Sequence, residues 1–382
     1  MFRSVLFTFF VSGVAAQPLS TFIPIFRNQF GLSYEFSGIL LSFQCVGGMV
    51  TALLSGILPL YLGRRKSVRI LSACMIAAYT IFALRTGARF MLGMAFFLTG
   101  IGKASNANFA NTMVSTIPNN ARYYNLQHGS YALGSVVGPL ILALLAWMRP
   151  DNGYYVMIIL IIVICAFQQL VYARMPVVEL VPQGKTGSAK ADLSFVRQKK
   201  FYLSAAILLL YGACEYGIVG WIVTYFQDSG FLSTTVSRFM SSLLWSAILT
   251  GRLIGATLIG KKISRERMLV VDAAGFLASF VLMFVSRLPV LMLSGIIGCG
   301  LFMATIFTCG LSFGTQCVKN NDLGCSLLNL CGYVGGIISP AVIGFVSEAW
   351  GVIAGMSVVG IIGLILLVLT LVTAPRKGHE VM

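Results

Sequence analysis

The chain has 382 residues, of which 58% are hydrophobic and only 10% charged, and its formal net charge is +16. Soluble domains carry about 25% charged residues, so this composition excludes a soluble globular protein and predicts an all-α, polytopic membrane protein. The basic residues are scattered through short loops between apolar runs, which is the pattern of membrane topology and not of a nucleic-acid-binding face.

Apolar runs fall at 4–26, 36–62, 69–86, 89–114, 124–148, 153–174, 201–226, 233–259, 267–286, 289–314, 323–348 and 350–373. At 1.5 Å rise per residue most are long enough to cross a hydrocarbon layer of ~30 Å, which predicts twelve transmembrane helices. The first run opens like a signal peptide but continues past Pro18, so it is predicted to be the first span. Lys and Arg alternate between the loops. One side takes Arg3, the cluster Arg64, Arg65, Lys66 and Arg69, then Arg122, Arg174, Lys185, Lys190, Arg197, Lys199, Lys200, Lys261, Lys262, Arg265, Arg267, Lys319, Arg376 and Lys377. The other takes Arg27, Arg85, Arg89, Arg149, Arg238 and Arg287. The first side is therefore predicted to be cytoplasmic, with both termini on it, in a multi-pass protein of the cell membrane.

One long polar connection, 175–200, divides the runs six and six, predicting an N-terminal half at 1–174, a cytoplasmic linker, and a C-terminal half at 201–382. The halves repeat weakly. LGSVVGP at 133–139 aligns with VGGIISP at 334–340, and GIG at 100–102 with GCG at 298–300. Two six-helix halves with internal symmetry are a common design of secondary transporters, with the site between halves near the midplane.

Charge inside the runs is sparse. Glu215, in YGACEYGIVGWIVTYF at 211–226, lies roughly 20 Å in from Lys200 along its helix, near the bilayer centre. An ionised Glu there must face protein or water, find a partner, or carry a proton. Lys103 lies mid-span in the fourth run, and Lys103, Asn106, Ala107 and Asn111 fall within about 140° on a helical wheel, a polar face that must point to partners or water. Gln17 and Gln44 are polar residues deep in the first two runs and serve either a site or inter-helix contact. Arg252 and Asp272 lie at similar depth in the eighth and ninth runs and are expected to form a structural charge pair. The nine cysteines are dispersed in apolar runs with no C-x-x-C and no nearby His, so they read as buried hydrophobes, with no metal site. H-E-x-x-H and G-x-S-x-G are missing, and Gly184-Lys185-Thr186 lacks the upstream Gly of a phosphate loop, where Glu179 stands. No enzyme activity and no cofactor are expected.

The segment 56–66, GILPLYLGRRK, resembles the loop signature of the major facilitator superfamily, a Gly followed by Asp-Arg and then Gly-Arg-Arg or Gly-Arg-Lys. Gly56, Gly63, Arg64 and Arg65 match; Leu60 and Tyr61 replace the Asp-Arg pair, so the gating salt bridge of that Asp is not expected here. Three further stretches are similar to the fucose–galactose–glucose:proton symporter group and related sugar transporters: GIGKASNANFANTMVS at 100–115, NLQHGSYALGSVVGP at 125–139, and the run containing Glu215. The resemblance implies that the first, fourth, seventh and tenth helices line a cavity, with Lys103 and Glu215 facing each other across it. Proton-coupled members use carboxylates in the first and fourth helices; this chain has none there, so any coupling is arranged differently, with Glu215 as the coupling candidate. The expected substrate-binding set is Gln17, Gln44, Lys103, Asn106, Asn111, Glu215, Trp221 and Tyr225, amides suiting hydroxyl groups and the two aromatics suiting sugar C–H faces. The expected partners are a small-molecule substrate and the lipid bilayer, with the protein a monomer. An exporter or flippase of amphipathic molecules, and a non-transporting receptor or scaffold on the same fold, stay open as alternatives.

Overall fold

The computed structural model describes residues 1–117, 121–177, 194–259, 263–318 and 322–373. The helices are α1 (Phe2–Ala16), α2 (Leu19–Phe30), α3 (Tyr34–Leu62), α4 (Arg64–Ala83), α5 (Arg89–Ser115), α6 (Ala121–Met148), α7 (Gly153–Arg174), α8 (Lys199–Asp228), α9 (Thr234–Leu258), α10 (Arg265–Val285), α11 (Pro289–Met303), α12 (Ile306–Thr315) and α13 (Asp322–Thr373). The chain is all-α, and the twelve predicted runs fall on these helices, displaced by a few residues at their ends. Most of the predicted linker, and the basic residues Lys185, Lys190, Lys261, Lys262, Lys319, Arg376 and Lys377, lie outside the described residues.

Two predicted spans run on as single spans, Phe2–Phe30 and Pro289–Thr315, but each is interrupted inside. The first run becomes α1 and α2, parted at Gln17–Pro18, where proline supplies no N–H to the preceding turn. The tenth becomes α11 and α12, parted at Ala304–Thr305, with Thr305 at φ −112°. The last two runs are two helices, as predicted, numbered together as α13 and parted at Gly351, whose φ of +86° and ψ of 160° are not helical. Nine stretches among the described residues are long and apolar enough to cross a membrane. One of them, Leu327–Thr373, covers two predicted runs, while α5 and α9 fall outside the set. Those two helices carry the polar faces, with Lys103 and three asparagines on α5 and Arg238 and Arg252 on α9.

The segment predicted as a loop at 56–66 is mostly helix. α3 runs through Leu62, and the turn is Gly63 alone, at φ +76°, a conformation glycine adopts without strain. Helix starts are capped where the sequence allows. Ser33 accepts from the Phe36 N–H at 3.1 Å and Ser264 from the Arg267 N–H at 3.3 Å, each with a Glu in the first turn to complement the helix dipole.

The chain forms two compact units: Met1–Gly187 with Gly220–Ser242, and Ser188–Val219 with Leu243–Met382. In the first unit α1 packs on α6, α3 on α5, and α4 on α5 and α7. Phe22, Phe26, Tyr79, Phe82 and Phe96 form its aromatic centre, and the Tyr79 hydroxyl donates to the Ala15 carbonyl. Ser242 and Arg238 donate to the carbonyls of Val136 and Ala146 at 3.0 and 3.4 Å. In the second unit α10 packs on α11 and α13, and Phe195, Phe201, Leu208, Val318 and Leu328 close one end. Both units carry large exposed apolar side chains such as Val163, Phe167, Val285 and Val368, the surface a bilayer covers.

The repeated glycines serve helix contact. A Cβ on Gly134 would fall onto the Phe10 carbonyl oxygen of α1, and one on its repeat partner Gly335 onto the Leu209 carbonyl oxygen of α8. Small residues let backbones approach this closely. Gly134→Val and Gly335→Val are each expected to destabilise the protein by about 1–3 kcal/mol. Gly129→Ala on the same α6, where nothing lies within 4 Å, should leave the thermal unfolding midpoint in detergent unchanged or raised.

Candidate functional site

Gln17 stands at the α1–α2 break. Its side chain is buried and donates to the Tyr131 hydroxyl at 2.7 Å, and its carbonyl accepts from Ser20 at 3.2 Å. Asn106 is buried on α5 and accepts from the Tyr172 hydroxyl at 2.9 Å. Asn111, one turn and a half further, accepts from Gln127 of α6 at 2.6 Å. These three predicted site residues therefore also tie helices together. Gln44 Nε2 and Asn106 Nδ2 differ: both are buried amide nitrogens with no hydrogen-bond partner among the described residues. Buried donors of this kind call for a water or ligand acceptor. Lys103, also on α5, is half-buried.

Trp221 and Tyr225, on the part of α8 that belongs to the first unit, are both 0% exposed. Trp221 packs on Tyr34 with ring centroids 6.2 Å apart, and Tyr225 on Phe226 and Phe231. No face of either ring is open to a solute in this conformation. Beside them lies a cluster that sequence reasoning missed. Arg27 forms an ion pair with Asp228, its guanidinium lies 3.5 Å over the Tyr34 ring, and the Tyr34 hydroxyl donates to Asp228 at 3.0 Å. The sequence places Arg27 only among the loop cations, and its partner stands 201 residues away.

In the second unit Glu215 is half-buried, and its carboxylate and the Arg252 guanidinium both lie near enough to the buried Tyr211 hydroxyl, one turn before Glu215, to act on it electrostatically. The expected Arg252–Asp272 pair is replaced by two separate arrangements. Arg252 joins Tyr211 and Glu215, whereas Asp272 accepts from the Thr305 hydroxyl at the α11–α12 break. Both charges lie at the depth expected, but depth alone does not determine which side chains meet.

Of the loop-signature residues, Gly63 makes the turn and Arg65 donates to the Met175 carbonyl at 3.0 Å, binding the start of α4 to the end of α7. Gly56 and Arg64 line a cavity of about 240 Å³ between α3, α4 and α5. Its other lining residues are Pro59, Leu60, Val68, Leu71 and Phe109, which are apolar, and Ser55, Ser67, Ser105, Asn108 and Thr112, which are polar. Among the described residues no group of three or more His, Cys, Asp or Glu is placed to hold a metal ion.

The sequence model of the Major Facilitator Superfamily matches residues 5–336. The chain belongs to the Major Facilitator Superfamily. It is accordingly a multi-pass membrane transporter and not an enzyme. Membrane protein MosC of Rhizobium meliloti is 22% identical over 358 residues, covering 91% of this chain and 84% of that protein. Among solved structures, the nucleoside transporter NupG superposes with a TM-score of 0.80 at 13% identity, over 98% of this chain and 100% of that one. A bacterial homologue of the human lysosomal transporter Spinster gives 0.76 at 13% identity, over 97% and 96%. The E. coli fucose:proton symporter FucP gives 0.64 at 17%, over 98% of both. At these identities the superpositions show the superfamily fold.

The Tyr211 bridge makes a direct prediction. Tyr211→Phe is expected to destabilise the protein by about 0.5–2 kcal/mol. The loss should be smaller in a Glu215→Gln background, because the two changes remove parts of one network. A thermal unfolding series on the two single variants and the double variant checks this; strict additivity would contradict the bridge.

Proposed function

We propose that this superfamily member is a secondary active transporter for a small polar organic solute, a sugar-like molecule first, worked by alternating access and coupled to protons. The halves 1–174 and 201–382, joined by the linker 175–200, are the rocking bodies in this reading. Both termini lie in the cytoplasm, the protein sits in the cell membrane as a monomer, and a cysteine introduced in the linker should resist impermeant reagents applied to intact cells. The observation that carries the reading is the pair of buried amide donors, Gln44 Nε2 and Asn106 Nδ2, left without partners among the described residues. Hydroxyl oxygens of a solute would satisfy them. The broken helix in each unit supports it, since interrupted helices mark transporter sites. Two of the structural neighbours are a nucleoside transporter and a fucose:proton symporter, both for polar solutes.

Gln17, Gln44, Lys103, Asn106 and Asn111 form the substrate set on the first-unit helices. Trp221 and Tyr225 would join it only in a conformation that uncovers their rings. Glu215, with Tyr211 and Arg252 beside it, is the proposed carboxylate of the second unit and the coupling group. Lys103 is proposed as its charge complement on the substrate path.

A second reading, an exporter or flippase of amphipathic molecules, is favoured by the cavity between α3, α4 and α5, whose lining mixes apolar and polar side chains. Thermal stability with a solute panel separates the two. A ligand that binds only the folded state stabilises it by about 2.7 kcal/mol at a hundredfold excess over Kd. Hexoses, pentoses, polyols or nucleosides are expected to raise the midpoint of the purified protein. If only lipids, detergents or hydrophobic drugs do so, the second reading replaces the first.

A further inference from the structure

Asp272 lies seven residues into α10, about 10 Å along the helix from its start. It is 1% exposed. Its partner is the hydroxyl of Thr305, which stands in the break between α11 and α12. An ionised carboxylate offers about four acceptor sites, and a single hydroxyl occupies one. Among the described residues no cation comes within ion-pair distance. An isolated carboxylate buried in this way must acquire a cation or take up a proton.

The charged and titratable groups on the surrounding helices do not neutralise it. α12 presents the Cys309 thiol, whose own electrostatic neighbours include Asp272, Arg265 and Glu266. Arg265 and Glu266 sit in the first turn of α10 itself. α9 presents Arg252, which is engaged with Tyr211 and Glu215. α11 presents Cys299, whose thiol donates to the Phe276 carbonyl. On α13, Gly360 packs on Phe280 and Gly363 on Phe276, so Glu348 lies beyond the far end of α10.

We propose that Asp272 and Thr305 form a proton-binding site that is separate from Glu215 and acts on the α11–α12 joint. The proton comes from water and bonds to a carboxylate oxygen of Asp272. The ionised carboxylate only accepts, and Thr305 donates to it; once protonated, the carboxyl becomes an O–H donor and the Thr305 hydroxyl becomes free to accept. Proton uptake thus reverses the polarity of the Thr305–Asp272 bond, which ties the joint to α10. A joint with two hydrogen-bond polarities is the kind of bistable element that a bound ion can bias. The purpose of the proton rests on the transport reading; its binding does not, and is measured without substrate.

The test is infrared difference spectroscopy of the full-length protein in phosphatidylcholine vesicles, titrated in pH. A protonated-carboxyl band that titrates is expected in the wild type. It should be missing from Asp272→Asn, displaced in frequency in Asp272→Glu, shifted in midpoint in Thr305→Val, and unchanged in Glu215→Gln. Should Asp272→Asn fail to fold, the frequency displacement in Asp272→Glu carries the assignment. Titrating bands that are all retained in Asp272→Asn, the loss of every titrating band in Glu215→Gln, or no titrating band at all overturns the proposal. So does a midpoint that moves with sodium at constant ionic strength, which would make the ligand a metal cation. A positive spectrum with no solute found in the stability panel would leave the proton site standing and the substrate reading refuted.

Discussion

Hydrocarbon offers no hydrogen bonds, and that single fact governs where this chain can bend and where it can hold charge. Helices meet the requirement along most of the sequence by bonding within themselves. At Gln17–Pro18 and at Ala304–Thr305 the helices are interrupted, and beside each interruption a side chain finds a polar partner: Tyr131 for the Gln17 amide, and Asp272 for the Thr305 hydroxyl. The two breaks therefore coincide with side-chain polarity that apolar packing alone would not require. The same rule gathers charge into clusters. Glu215 and Arg252 meet through Tyr211, and Arg27 meets Asp228 with Tyr34 stacked beneath it.

The loop signature shows how a family device is rebuilt with different atoms. Its acidic member is absent, and Leu60 and Tyr61 stand in its place, both largely exposed. Arg65 instead donates to a main-chain carbonyl, that of Met175. A carbonyl cannot titrate, so this tie between α4 and the end of α7 is insensitive to pH, unlike one built on a carboxylate. Arg64 lines the cavity alongside Ser67 and Asn108.

Much of this was legible in the residues. Long apolar runs fix helices because span length and hydropathy are local properties, and the superfamily assignment followed from the run count, the loop signature and the repeated glycines. Gly134 and Gly335 were readable as close-packing residues and occupy equivalent contacts. What was not legible depends on helix rotation and on partners far along the chain. Arg252 and Asp272 were placed at the right depth and given to each other, but Arg252 lies near Tyr211 instead. Pro18 was the available signal for the first break and was read as part of a continuous span. The break at Thr305 follows no proline, and no residue pattern marked it. The ion pair of Arg27 with Asp228 joins residues from distant runs, and only the assembled helices bring them together.

The account stands on coupled transport through a site that includes Glu215. The most direct measurement is solute movement in sealed proteoliposomes, comparing wild type with Glu215→Gln under an imposed pH gradient and under equal pH with solute on both sides. Wild type should accumulate solute with the gradient and lose that accumulation when a protonophore is added. Glu215→Gln should lose accumulation yet keep exchange between equal compartments, since exchange needs the loaded conformational step and no net proton movement. Full gradient-driven accumulation by Glu215→Gln would contradict the assignment, and no solute movement by the wild type under any gradient would contradict the transport reading itself.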